Sequence, residues 1–131
     1  MQSSQKKILV VDDEPDILEF LQIIFEEAGF LVVTTEKGDY LEKINNGTLP
    51  DLVLLDMLLS GKDGREIVKQ LKSQERTKHI PVIMFSAHPS AEKTALAAGA
   101  DDFVEKPFDI DTLLEKVQRL ISPQKQKEHF S

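Results

Sequence analysis

The sequence predicts a doubly wound α/β sandwich, a (βα)5 chain whose helices cover both faces of a parallel five-stranded sheet. Three observations predict it. Short runs rich in leucine and β-branched residues alternate with stretches whose apolar residues recur at helical spacing. The connections between them are only a few residues long. The central run, Leu52-Val53-Leu54-Leu55, is apolar at every position, as in a strand buried on both sides by crossover helices.

Taken in order, Met1 to Gln5 is a polar lead-in, and Lys7 to Asp12 is the first strand, ending on the acids Asp12 and Asp13. Pro15 sits where a helix begins, with Asp13, Glu14 and Asp16 crowding the positive end of its dipole. Ile17, Leu18, Leu21, Ile24, Phe25 and Ala28 recur at helical spacing, and Gly29 is a natural stop. Phe30 to Thr34 is a second strand, and Gly38 to Ile44 a short helix ended by Asn45-Asn46-Gly47. The run Asp51 to Asp56 is the third strand, followed by a loop from Met57 to Gly64. A helix from Asp63 or Gly64 to about Ser73 buries Ile67, Val68 and Leu71. Ile80 to Phe85 forms the fourth strand, ending on Ser86, and Ser90 to Ala98 an alanine-rich helix closed by Gly99. Phe103-Val104 is a short fifth strand that ends at Glu105-Lys106. The last helix, Ile110 to Ile121, places Ile110, Leu113, Leu114, Val117, Leu120 and Ile121 on one face, and Pro123 stops it.

The 131 residues make one domain, with residues 6–122 as its body and residues 1–5 and 123–131 as polar extensions. The net charge of −7 argues against a nucleic-acid groove or an anionic membrane surface as the main partner. No apolar stretch near the N-terminus is long enough for a signal peptide or a membrane span, and the expected location is the cytoplasm. The absence of cysteine excludes disulfides, thiolate catalysis and cysteine-based metal sites. His79, His88 and His129 show no metal-ligand spacing.

In such a sheet the strand ends share one edge, where α/β folds keep their ligands. Those ends are Asp12-Asp13, Asp56, Ser86 and Lys106. Each alone reads as a cap, a turn or a solvated charge; four strands delivering them to one place is a different matter. Converging carboxylates repel by about 4 kcal/mol per pair at ~4 Å and intermediate dielectric. They therefore share protons in coupled titrations or hold a cation. All-oxygen ligation with open water positions suits Mg²⁺. An ammonium and a hydroxyl beside a cation-bridged carboxylate suit phosphoryl transfer with aspartate as the nucleophile.

Four segments carry a resemblance. They are Ile8-Leu9-Val10-Val11-Asp12-Asp13-Glu14-Pro15, Asp51-Leu52-Val53-Leu54-Leu55-Asp56, Pro81-Val82-Ile83-Met84-Phe85-Ser86-Ala87 and Ala98-Gly99-Ala100-Asp101-Asp102-Phe103-Val104-Glu105-Lys106-Pro107-Phe108. In this order and spacing the chain resembles a CheY-like response-regulator receiver domain of two-component signalling, over about residues 6–122. The resemblance implies that Asp56 accepts a phosphoryl group from a histidine of a sensor kinase or a phosphotransfer protein. It implies Mg²⁺ held by Asp13, Asp56 and the Leu58 carbonyl, with Asp12 helping to position it. It further implies that Ser86 and Lys106 bind phosphoryl oxygens and that Phe103 turns inward as Ser86 is drawn to the phosphate. The expected fold is flavodoxin-like, with strand order 2-1-3-4-5 and a cis Lys106-Pro107 peptide.

Two positions vary from the pattern. Phe103 stands where many relatives carry Tyr, so its burial leaves no hydroxyl needing a partner. Ser60 stands where relatives usually carry Pro. The expected activity is that of a phosphoacceptor rather than a turnover enzyme, changing the face made by the fourth helix, fifth strand and fifth helix to alter binding of a downstream protein. It could serve as a stand-alone regulator, a relay intermediate or the receiver part of a longer regulator, and a homodimer formed on phosphorylation is one open output. A hydrolase of haloacid-dehalogenase type would want a second acid two residues after the nucleophile, where this chain has Leu58. A module that acts by binding alone would have no need of Asp12, Asp13, Asp56, Ser86 and Lys106 together. The charged residues Asp111, Glu115, Lys116 and Arg119 read as a solvated face of the last helix.

Overall fold

The computed structural model describes residues 5–38, 40, 49–59 and 62–121. Strands β1 (Lys7–Val11), β2 (Leu31–Thr35), β3 (Leu52–Asp56), β6 (Val82–Ser86) and β7 (Asp102–Glu105) form one sheet of order β2-β1-β3-β6-β7. Every pairing in it is parallel. Leaving aside a separate antiparallel pair, β4 (Leu58–Leu59) with β5 (Lys62–Asp63), this is the 2-1-3-4-5 order expected.

Side chains alternate across the sheet and divide the core into two clusters. Leu9, Val11, Val53, Leu55, Val82, Met84 and Phe103 face one side, against Ile67, Val68 and Leu71 of α2 (Gly64–Ser73) and Ala95 of α3 (Ala91–Ala98). Ile8, Val10, Leu52, Leu54, Ile83, Phe85 and Val104 face the other, against Leu18, Leu21 and Phe25 of α1 (Pro15–Glu27) and Leu113 and Val117 of α4 (Ile110–Ile121). All five residues of β3 and all five of β6 are buried, as the apolar runs require.

The helix ends follow their local chemistry. Pro15 opens α1, and the Asp63 carboxylate caps α2 by accepting from the Arg65 N–H at 2.9 Å. Gly99 closes α3 at φ 115°, a left-handed conformation costly for any residue with a Cβ. No described helix is long and apolar enough to cross a membrane.

Several expectations need correction. The segment after Asp56, expected as a loop, contains the two short strands β4 and β5, because Met57 and Leu59 both find apolar cover and pull the backbone straight. Ala28, just past the end of α1, and Ile110, the first residue of α4, are exposed, Ile110 at 39%, so the apolar faces of these helices are not covered out to their ends. Lys116 and Arg119 do not simply face solvent: both pair with Asp102, at 2.9 and 2.8 Å. The helix expected over residues 38–44 falls mostly outside the described residues, as does Ser60.

Candidate functional site

The parallel register sets the height of each reactive group. Val11 lies opposite Leu55, so Asp12 is level with Asp56. Asp56 lies opposite Phe85, and Ser86 lies opposite Glu105. Ser86 and Lys106 therefore stand just above the Asp12–Asp56 level, at the carboxyl edge of the sheet.

Asp12, Asp13 and Asp56 each offer a carboxylate oxygen, and these oxygens lie within 4.8 Å of one another. Asp12 is fully buried and Asp56 is 7% exposed. The Asp12 carboxylate accepts from the Glu14 N–H at 2.8 Å, and Asp56 Oδ1 accepts from the Leu58 N–H at 3.3 Å. Lys106 Nζ stands 3.4 Å from Asp12 Oδ2, 3.6 Å from Glu14 Oε1 and 3.7 Å from Asp56 Oδ2. The same ammonium lies 4.9 Å from the centre of the Phe85 ring, so one side of it rests on an aromatic face. Its backbone is fixed too: the Lys106 N–H donates to the Ser86 carbonyl at 2.8 Å, and the Lys106-Pro107 peptide is cis, as expected.

Ser86 is buried, and its hydroxyl accepts from the His88 N–H at 3.1 Å. Phe103 is buried against Met84, its partner across the β6–β7 pairing. Strand alternation puts Ser86, two residues beyond Met84, on that same side of the sheet. Leu58 is 62% exposed between the buried Met57 and Leu59, so the pleat turns its side chain outward beside Asp56.

Burial pushes the Asp56 carboxyl up to about 6, and the neighbouring charge of Asp12 adds to the rise; Lys106 and the Leu58 N–H pull the other way. Burial also raises Asp12. One ammonium does not neutralise this acid cluster. The donor set, three carboxylates with no sulfur or imidazole among them, fits a hard divalent cation that takes oxygen ligands.

All of Asp12, Asp13, Asp56, Ser86 and Lys106 are thus at one edge, and Phe103 lies one strand away. Glu14 was legible only as a charge near a helix end; nothing in its local pattern marks it as a partner of Lys106. Phe85 as the floor under Lys106 was likewise not legible, because its partner lies on another strand. Beside Lys106, Ile17 and Phe20 of α1 and the segment Pro107-Phe108 line an open, mainly apolar groove of about 490 Å³. Phe20 is 45% exposed in it.

Residues 8–118 match the family model of the response regulator receiver domain, and the chain belongs to that family. It is 38% identical over 123 residues to the phosphate regulon transcriptional regulatory protein PhoB of Escherichia coli, covering 90% of this chain and 54% of PhoB. It is 40% identical over 105 residues to the alkaline phosphatase synthesis transcriptional regulatory protein PhoP of Bacillus subtilis, covering 79% of this chain and 43% of PhoP. The chain thus spans about half the length of these relatives. Among solved structures it is similar to response regulator TrrA of Thermotoga maritima in complex with Mg²⁺ and BeF, with a TM-score of 0.79 and 34% identity over 88% of this chain and 99% of that one. The chemotaxis response regulator CheY4 of Vibrio cholerae gives a TM-score of 0.80 at 28% identity, over 89% of this chain and 99% of that one.

Proposed function

We propose that the chain is a phosphorylation-driven switch in which Asp56 takes a phosphoryl group from a histidine of a sensor kinase or phosphotransfer protein. The observation that carries this reading is the approach of the Asp12, Asp13 and Asp56 oxygens to within 4.8 Å, with Lys106 3.7 Å from Asp56. An Asp56 carboxylate oxygen forms the new O–P bond as the P–N bond to the donor imidazole breaks, and the leaving nitrogen keeps the electron pair. Lys106 and the Ser86 hydroxyl supply charge and a hydrogen bond to oxygens of the transferred group. Asp13, Asp56 and the Leu58 carbonyl would hold Mg²⁺, with Asp12 positioning it; when bound it neutralises charge on the carboxylates and the phosphoryl oxygens.

We expect the donor protein to seat on the apolar groove beside Lys106, since that groove exposes Phe20 and is lined by the lysine that stands 3.7 Å from Asp56. The output follows from drawing Ser86 toward the phosphoryl group and biasing the packing of Phe103, which alters the face made by α3, β7 and α4. A doubly charged group shifting two packings of similar energy is enough for this, and no turnover of a diffusible substrate is needed. We expect a downstream protein, or a second copy of the chain, to read that face, and we expect the chain to act in the cytoplasm.

A small acyl phosphate and Mg²⁺ should yield one acid-labile adduct, absent in Asp56→Asn. Rapid turnover of many phosphate esters would instead indicate a hydrolase, and no adduct would indicate a module that acts by binding alone.

A further inference from the structure

The segment that leaves β3 comes back to it at Gly64, closer than any other residue allows. A Cβ at Gly64 would lie 2.5 Å from the Asp56 carbonyl oxygen, 2.9 Å from the Met57 carbonyl oxygen and 3.0 Å from Met57 Cα. All three are backbone atoms, which cannot swing aside, and all fall inside the ~3.5 Å at which heavy atoms make their best contact. The need is for space alone, since Gly64 is not among the glycines of positive φ.

We propose that Gly64 is a positioning residue for the phosphoacceptor Asp56, acting through the Met57–Leu58 peptide; this rests on the phosphoacceptor reading above. The Gly64 N–H donates to the Met57 carbonyl at 2.9 Å. That carbonyl belongs to the same peptide unit as the Leu58 N–H, which donates to Asp56 Oδ1 at 3.3 Å. A trans peptide is planar, with its carbonyl and N–H pointing in opposite directions, so tethering one end aims the other. The unit has no slack elsewhere. Met57 and Leu59 are buried on either side, and the β4–β5 pairing ties Leu58 to Asp63, the residue that caps α2. At 3.3 Å the bond to Asp56 is already long, so a small tilt of the plane removes it. Any side chain at position 64 must push the strand tip and the helix start apart, tilting the peptide that orients the nucleophile and that carries the chain on to the Leu58 carbonyl.

The test compares Gly64→Ala with Val68→Ala, a buried position one turn further along α2, by Mg²⁺ calorimetry, adduct formation from a small acyl phosphate, and thermal midpoint. Gly64→Ala should weaken Mg²⁺ binding and slow adduct formation by roughly tenfold each. Val68→Ala should lower the thermal midpoint while keeping both within about twofold of wild type, so that lost stability alone does not explain the result. Gly64→Ala with wild-type binding and adduct rate overturns the assignment, and so does Val68→Ala with equal losses. Should Gly64→Ala not fold, hydrogen exchange of the wild type decides. Saturating Mg²⁺ should slow exchange of the Gly64 amide by about fivefold and leave that of Gly99 unchanged; an unmoved Gly64 amide overturns the assignment. A wild-type chain that binds no Mg²⁺ and forms no adduct would instead bring down the phosphoacceptor reading itself.

Discussion

Lys106 Nζ lies 3.7 Å from Asp56 Oδ2, near enough to offset the charge of that carboxylate and too far for a direct hydrogen bond. Its nearer partner is the fully buried Asp12, at 3.4 Å. Lys106→Met therefore leaves buried acids without this ammonium. We expect a loss of about 2 kcal/mol in urea unfolding at pH 7, a smaller loss at pH 5 where Asp56 takes up a proton, and recovery in millimolar Mg²⁺. An unfolding midpoint at pH 7 equal to that of wild type would remove Lys106 from the charge balance of the site.

The Asp56 carboxyl titrates near 6 in the folded chain against an ordinary 3.8. Between those values the folded state binds more protons than the unfolded one, so the contribution of this group to stability falls as pH rises through the window and is gone above about pH 6. Asp56→Asn should therefore stabilise the chain, in the presence of a chelator, by about 2 to 3 kcal/mol at pH 7 and by little at pH 4. Equal gains at the two pH values would falsify this account. The same protonation should weaken Mg²⁺ binding below about pH 6, which calorimetry across that range reads directly.

Leu58 turns an apolar side chain outward beside Asp56 and offers an attacking water no hydrogen bond. Leu58→Asn should shorten the life of the phosphorylated state several-fold, followed as decay of the adduct after the donor is removed. Decay no faster than wild type would sink the idea.

Phe20 is exposed in the groove next to Lys106 but is not part of the acid cluster. Phe20→Ala should slow phosphoryl transfer from a protein donor by roughly tenfold, the loss of one apolar anchor, while the rate with a small acyl phosphate stays unchanged. Equal slowing with both donors would mean that Phe20 supports the fold and does not help seat the donor.

The sheet was legible because β3 and β6 are apolar at every position but the last, a pattern that suits two-sided cover. The site was legible because parallel strands deliver their last residues to one edge, so Asp12, Asp56, Ser86 and Lys106 could be grouped from strand ends alone. What stayed hidden depends on contacts between distant elements. Lys72, on α2, donates to the Ile80 carbonyl and to Asp101, which also accepts from the Val82 N–H, a tie among three segments that no local spacing reveals. The pairing of Asp102 with Lys116 and Arg119 was hidden for the same reason: side-chain periodicity shows which way a helix faces but not which acid waits there. The short β4–β5 pair went unread because two residues are too few to show a period.

The two core clusters share the backbone of the sheet and little else. Bonded strands form a septum, so a change of side-chain volume beneath α1 and α4 has no direct route to the side chains beneath α2 and α3. Asp56 sits at the rim of that septum. Each half of the molecule can therefore drift in sequence on its own account, remodelling the surface it presents while the other half keeps its fit, provided the rim stays as it is.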